Sequence, residues 1–281
     1  MNISMLWPNY MRDKSIARYS PHTLKSYKLQ ARLLCEYLGG KNIAEVTIDN
    51  LKDYLVSRGD LKVASIGHRV RFIRSFFKWA AEEGHIQNNI SVSIKEPKVK
   101  DRTPKYLTEE EIEILRNACK SDLERVIFEL LYSTGCRIGE LTPLNKDDID
   151  WQENRIRIMG KGGYPRTVYF TDTCKEWLLK YIEGRRDKDP ALIVTERVPH
   201  RMSIDQVRYI LKRIAKRTGT MNVIYPHKLR HSFATHMLNR GASIEVIRQL
   251  LGHHDLNSTL LYANLTEVGK KANYNKYFNQ G

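Results

Sequence analysis

Four residues toward the C-terminal end of the sequence carry groups suited to phosphate chemistry: His227, Arg230, His253 and Tyr262. They supply two imidazoles, a guanidinium and a phenol. Pro226 stands where a helix can begin and Gly241 where one can end. Between them Leu229, Phe233 and Met237 recur every fourth residue, the spacing of a buried stripe. On such a helix His227 and Arg230 are three apart and can point at one target. A second helix is expected from Ser243, burying Ile244, Ile247 and Leu251 and stopping at Gly252, which leaves His253 in the turn beyond. Tyr262 is expected in a third, short helix that Ser258 can cap.

These residues and spacings resemble the active site of the tyrosine recombinase (phage integrase) family. The matching elements are His227-x-x-Arg230, Leu251-Gly252-His253 and Tyr262. The resemblance implies an upstream arginine in a Thr-Gly-x-Arg-x-x-Glu-Leu setting, and Thr134-Gly135-Cys136-Arg137-Ile138-Gly139-Glu140-Leu141 supplies it. It also implies a lysine on a β-hairpin between the two arginines, where Gly160-Lys161-Gly162 lies. Tyr262 is then the nucleophile on a DNA phosphodiester. Arg137 and Arg230 are suited to clamp the non-bridging oxygens with planar, permanently charged donors, and His253 adds a third hydrogen bond. A phenol with a reference pKa of about 10 needs help losing its proton, which makes His227 the candidate base and Lys161 the candidate acid for the leaving 5′-oxygen. Glu140, one turn beyond Arg137, can hold that arginine in place. Arginines neutralise the charge that a metal would otherwise neutralise, so neither metal nor cofactor is expected. A 3′-phosphotyrosyl bond conserves the energy of the phosphodiester, so the reaction is strand transfer and needs no ATP.

The other histidines have plainer readings. His231 and His236 are helix residues expected to pack or hydrogen-bond locally, and His254 receives no role. His227 and His231 are four apart, as on a zinc helix, but the glutamate of a His-Glu-x-x-His motif is missing.

The 281 residues exceed the usual size of one domain and can bury a full core without staples. Lys and Arg total 47 against 32 acidic residues, a net charge of +15. The surplus is spread along the chain, with 17 basic and 9 acidic groups in residues 1–100 and 30 and 23 in the rest. That distribution suits a protein that surrounds a polyanion. Cys35, Cys119, Cys136 and Cys174 form no Cys-x-x-Cys pair, which argues against a zinc ribbon or a disulfide framework. With no signal-peptide pattern and no apolar run long enough to span a bilayer, a cytoplasmic protein without membrane contact is expected.

Residues 1–94 read as an all-helical DNA-binding domain. A helix is expected after Ser20-Pro21 with Leu24, Tyr27, Leu34 and Leu38, a second after Thr47, and a third from Ser65 to Ala81 burying Val70, Ile73, Phe77 and Ala80. Arg69, Arg71, Arg74 and Lys78 on that third helix are candidates for backbone phosphate contacts. Residues 95–105 have the composition of a linker, basic and broken by two prolines, that would let two domains close on a duplex as a clamp. Thr108 and Glu111 form a capping box that opens a catalytic domain over residues 106–281. Its one β pattern lies at 155–170, a hairpin with Ile156, Ile158, Val168 and Phe170 inward. Residues 203–218 form an amphipathic helix whose outer face carries Arg208, Lys212, Arg213, Lys216 and Arg217, further candidates for DNA contact.

The expected fold is mainly α with a small antiparallel sheet, in a helical core-binding domain followed by a catalytic domain. The resemblance is strongest to Xer-type recombinases of bacterial and archaeal chromosomes, because no extra arm-binding module precedes the helical part. It implies a double-stranded DNA site as partner, and a tetramer on paired sites in which each C-terminal segment docks on its neighbour. Tyr274, Tyr277 and Phe278 could form the apolar edge of such a segment. An integrase of a virus or plasmid, a type IB topoisomerase-like enzyme and a non-catalytic DNA-binding protein on the same fold are the rivals. One departure from the family pattern is Asn264, where a histidine often stands.

Overall fold

A computed structural model describes residues 1–57, 59, 61–97, 105–160, 163–219 and 224–252. The expectations for Lys161, His253, Tyr262, the C-terminal aromatics and most of the linker lie outside the described residues. The chain packs into two compact units, Met1–Asp101 and Arg102–Gly281.

Among the described residues, the regular elements of the first unit are all helices. Helix α1, Ile3–Ile16, starts where the Asn2 side chain accepts the Met5 N–H, and it carries Pro8 inside it. It buries Ile3, Leu6 and Tyr10 at helical spacing. Helix α2, Pro21–Leu38, is capped by Ser20 and closed by Gly39 in the left-handed conformation. Helix α3, Ile48–Val56, opens on a Thr47–Asn50 capping box, and α4 spans Val63–Glu82. Tyr10 sets its ring edge-on against Phe72, Phe76 and Trp79, with centroids 5.3–6.1 Å apart, and its hydroxyl meets Ser75 Oγ at 2.8 Å. Edge-to-face pairs of this kind add about 0.5–1.5 kcal/mol each beyond the area they bury.

One expectation for this unit is corrected. Arg69 is not on the exposed face of α4 but 5% exposed, in helical register with the buried Phe72, Ile73 and Phe76. Its guanidinium stacks 4.7 Å from the Tyr54 ring centroid and donates to the Tyr54 carbonyl at 3.3 Å. Arg71, Arg74 and Lys78 do lie on the exposed face, Arg71 paired with Glu96 at 2.7 Å and Lys78 with Glu82 at 3.6 Å.

The second unit is built on α6, Asp122–Thr134, which is buried along most of its length. Helix α5, Glu109–Asn117, precedes it and opens on the Thr108–Glu111 capping box. The four-residue α7, Ile138–Leu141, follows it. Three antiparallel strands come next, in the order β1 (Ile149–Asp150), β2 (Arg155–Met159) and β3 (Pro165–Tyr169). Ile156 faces Val168 and Ile158 faces Arg166 across the hairpin. Helix α8, Asp172–Glu183, packs on α6. Helix α9, Ile204–Arg217, buries Val207, Ile210, Leu211 and Ile214. Helix α10, Pro226–Asn239, also lies against α6, and α11, Ile244–Leu251, packs on α10.

Two carboxylates buried in α6 set the polar scaffold. Glu129 accepts from Arg116 and Arg125, and Glu124 from Arg213 and Arg217. Burial alone would raise the pKa of Glu124, but hydrogen bonds from Arg217, the Lys120 amide and Arg213 outweigh it and hold the carboxyl below its usual range. Arg213, expected on the outer face of α9, is therefore corrected: it turns toward α6 and its charge is matched there. Lys212 is exposed, and Arg208, also exposed, pairs with Asp205 at 3.0 Å.

Candidate active site

Gly135 ends α6 in the left-handed conformation, φ +59°. The chain then turns sharply through the buried Cys136 into Arg137, which is the N-cap of α7. Glu140 Oε2 accepts the Arg137 N–H at 2.7 Å and Glu140 Oε1 accepts from the Arg137 guanidinium at 2.9 Å. The Arg137 amide is thus occupied by Glu140, and what Arg137 offers an anion is its side chain.

Glu140 is shared. Arg166 of β3 donates to both of its oxygens, at 2.7 and 2.8 Å, and its Nε donates to the Leu250 carbonyl at 3.2 Å. Burial would raise the Glu140 pKa, but the bonds from Arg166 and Arg137 outweigh it and keep the group ionised. Arg166, 12% exposed at its side chain, is the site residue that sequence reasoning missed. A signal was available, because Arg166 occupies the same strand parity as the inward Val168 and Phe170.

Arg230 enters from α10. It is 3% exposed, and it donates from Nη1 to the Gly135 carbonyl at 2.7 Å and from Nη2 to the Leu251 carbonyl at 2.6 Å. Both carbonyls belong to helix ends, where a cation complements the macrodipole. Arg230 is thereby fixed to the turn that carries Arg137. His227 stands in the first turn of α10, exposed between the buried Pro226 and Lys228. Desolvation by the packing around it, then the charges of Arg230, Arg137 and Arg208, push its pKa below the ordinary value. It is consequently neutral at neutral pH, the form that can accept a proton.

Helix α10 is buried on more sides than the Leu229 stripe predicted. Leu229 is fully buried, whereas Phe233 and Met237 are only half-buried, and Ser232, Thr235 and His236 lie inside. His236 meets the Leu107 carbonyl through Nε2 at 2.9 Å and the Tyr132 hydroxyl through Nδ1 at 2.8 Å. A carbonyl only accepts, so Nε2 carries the proton and Nδ1 accepts from the tyrosine. Ser232 Oγ accepts the Leu107 N–H at 2.8 Å. Among the described residues no group of three or more His, Cys, Asp or Glu side chains could hold a metal ion.

Lys161 and His253 each follow a described glycine that approaches the cluster closely. A Cβ on Gly160 would lie 3.2 Å from Arg166 Nη1 and 4.0 Å from Glu140 Oε1. A Cβ on Gly252, at φ +62°, would lie 2.7 Å from Arg166 Cδ. Gly252 therefore answers two demands at once, a left-handed helix end and the space taken by Arg166.

The Phage integrase family model matches residues 105–268, more than half of the chain, and that of the Phage integrase, N-terminal SAM-like domain matches residues 9–84. The chain belongs to the phage integrase family. Tyrosine recombinase XerC of Staphylococcus saprophyticus is 34% identical over 264 residues, 89% of this chain and 88% of the relative. Its Staphylococcus aureus counterpart is 34% identical over 262 residues, 88% and 87% of the two chains. This phage integrase family member is accordingly a tyrosine recombinase, a DNA strand transferase of the type those relatives represent. Likeness of fold extends to solved structures. A lambda integrase dimer bound to a COC′ core site gives a TM-score of 0.78 at 21% identity, covering 92% of this chain and 97% of the other. XerA recombinase gives 0.56 at 24% identity, covering 95% of each. The mainly helical fold with one small antiparallel sheet is the fold these proteins share. No described helix is long and apolar enough to cross a membrane.

Proposed function

We propose that this family member is a site-specific recombinase that cuts and rejoins duplex DNA through a 3′-phosphotyrosyl linkage on Tyr262 and a Holliday junction. The observation that carries the reading is the convergence on one turn: Arg230 grips the carbonyl of Gly135, two residues before Arg137, and His227 feels the charge of both arginines. In the reaction His227 takes the phenolic proton as the Tyr262 oxygen attacks phosphorus. Arg137 and Arg230, joined by His253, bind the non-bridging oxygens as charge develops. Lys161 gives a proton to the departing 5′-oxygen. Reversal by a 5′-hydroxyl from another duplex completes transfer, with the number of phosphodiester bonds unchanged.

The biological role we infer is resolution of chromosome dimers at a dif-like site in the cytoplasm, in support of chromosome partition at cell division. The similarity to XerC proteins over nearly the whole chain supports it. Arg71, Arg74, Lys78, Arg208 and Lys212 are the proposed phosphate contacts, since each is exposed. A helical DNA-binding domain over residues 1–94, a linker over 95–105 and a catalytic domain over 106–281 is the domain plan we propose. A tetramer on paired sites would form by docking the C-terminal segment of one protomer on the next. A cavity of about 350 Å³, lined by Tyr132, Phe170, Phe233, Met237 and Leu250, is apolar enough to receive its aromatic edge.

Trapping on a nicked suicide duplex tests the chemistry. Wild type should form a covalent protein–DNA adduct, and Tyr262→Phe should bind the duplex without forming one. An adduct from the phenylalanine variant would assign the nucleophile elsewhere.

A further inference from the structure

We infer that Arg166 is a positioning residue whose single guanidinium registers three parts of the active site: the Arg137 turn, the hairpin that leads to Lys161, and the end of α11 that leads to His253. The inference rests on the proposed function. Each link is a contact of Arg166. Its fork takes both oxygens of Glu140, and Glu140 in turn holds the amide and the guanidinium of Arg137. Its Nε holds the Leu250 carbonyl in the last turn of α11. Its aliphatic stem fills the space that a Cβ on Gly252 would need, and its Nη1 sits where a Cβ on Gly160 would crowd it.

Geometry demands arginine here. Three N–H groups in one plane serve two carboxylate oxygens and one carbonyl, and an ammonium at the end of a flexible stem cannot reproduce that fork. Lysine would preserve the charge beside Glu140 and lose the registration. The carboxylate is also divided between two cations, so any change in the hold of Arg166 alters how tightly Glu140 ties down Arg137 before a phosphate arrives. Misplacement of reacting groups by about 1 Å can lower a rate by about a hundredfold.

The test uses full-length protein on the nicked suicide duplex, measuring adduct formation per folded molecule at saturating DNA, DNA affinity and thermal unfolding. Arg166→Lys should cleave about a hundredfold more slowly than wild type, with DNA affinity unchanged. A side chain that only held the fold together would lower the melting temperature and leave the rate per folded molecule intact. Gly252→Ala presses on Arg166 from the α11 side with the guanidinium retained, and should slow cleavage in the same way. Combined with Glu140→Gln, Arg166→Lys should lose less than the two separate losses multiplied together, because the two share the carboxylate link and differ only in the hold on Leu250. Wild-type cleavage by either folded single variant, or full additivity with Glu140→Gln, overturns the inference. Tyr262→Phe runs alongside: an adduct there refutes the proposed chemistry itself, whereas its absence with an unaffected Arg166→Lys refutes the positioning role alone.

Discussion

Replacing Gly135 with alanine should destabilise the second unit by about 2–5 kcal/mol, the sum of two separate penalties. At φ +59° the residue is left-handed, and an L side chain there costs about 1–2 kcal/mol. The new methyl would also stand 2.5 Å from Phe233 Cδ1 and 3.0 Å from Cε1 and Cγ. Overpacking of this kind costs about 1–3 kcal/mol, at the lower end if the ring can turn into the cavity that Phe233 lines. For a unit of this size the melting temperature should fall by roughly 5–15 °C. The assay is thermal unfolding of Gly135→Ala in two backgrounds, wild type and Phe233→Ala. Without the ring the cost should shrink to the left-handed penalty alone. An equal cost in both backgrounds would refute the claim that close approach of α10 to this turn requires glycine. Because the Gly135 carbonyl also accepts from Arg230, cleavage by the wild-type-background variant should fall with stability.

Arg137→Ala and Arg230→Ala should each lower cleavage by at least about a hundredfold, because each leaves developing charge without a partner, while binding falls far less; equal losses in gel-shift affinity and adduct yield would make them DNA anchors. Lys161→Ala should cleave ordinary DNA poorly but a 5′-bridging phosphorothioate nearly as fast as wild type, since that leaving group needs no proton; failure of the rescue removes lysine from the acid role. Burial, then His227 and Arg230, push the His231 pKa down to about 4 from 6.5. Between those values the unfolded chain binds a proton that the folded chain does not, so stability rises with pH through the window, by up to about 1.4 kcal/mol per unit. His231→Gln should remove that share of the acid sensitivity in denaturant titrations from pH 7 to pH 4, and an unchanged slope would refute it.

Much of this architecture was legible in the sequence because caps and periodic apolar residues are local. Ser20, Thr47, Thr108, Ser203 and Ser243 each begin a helix, and Gly39, Gly135 and Gly252 each end one. The Arg137–Glu140 pair was legible for the same reason, being one helical turn apart. What failed was long-range or ambiguous. Helix α1 carries a proline in its interior, which reads as a break. Arg69 belongs by spacing to the buried ladder of Phe72, Ile73 and Phe76, but arginine reads as surface until the Tyr54 ring and carbonyl are known to receive it. Arg166 finds Glu140 across 26 residues and Leu250 across 84, and no local pattern announces a partner at that distance.

Those separations also bear on the order in which the chain can assemble. The Arg166–Glu140 contact closes 26 residues and the Arg230–Gly135 contact closes 95. Loop closure makes the longer contact about 1 kcal/mol less favourable to initiate. The half of the site made of Arg137, Glu140 and Arg166 can therefore form while α10 is still being synthesised or is still unfolded. In that interval Glu140 already has two guanidinium partners, so the partly folded unit need not hold an unmatched carboxylate while it waits for the helix that brings Arg230.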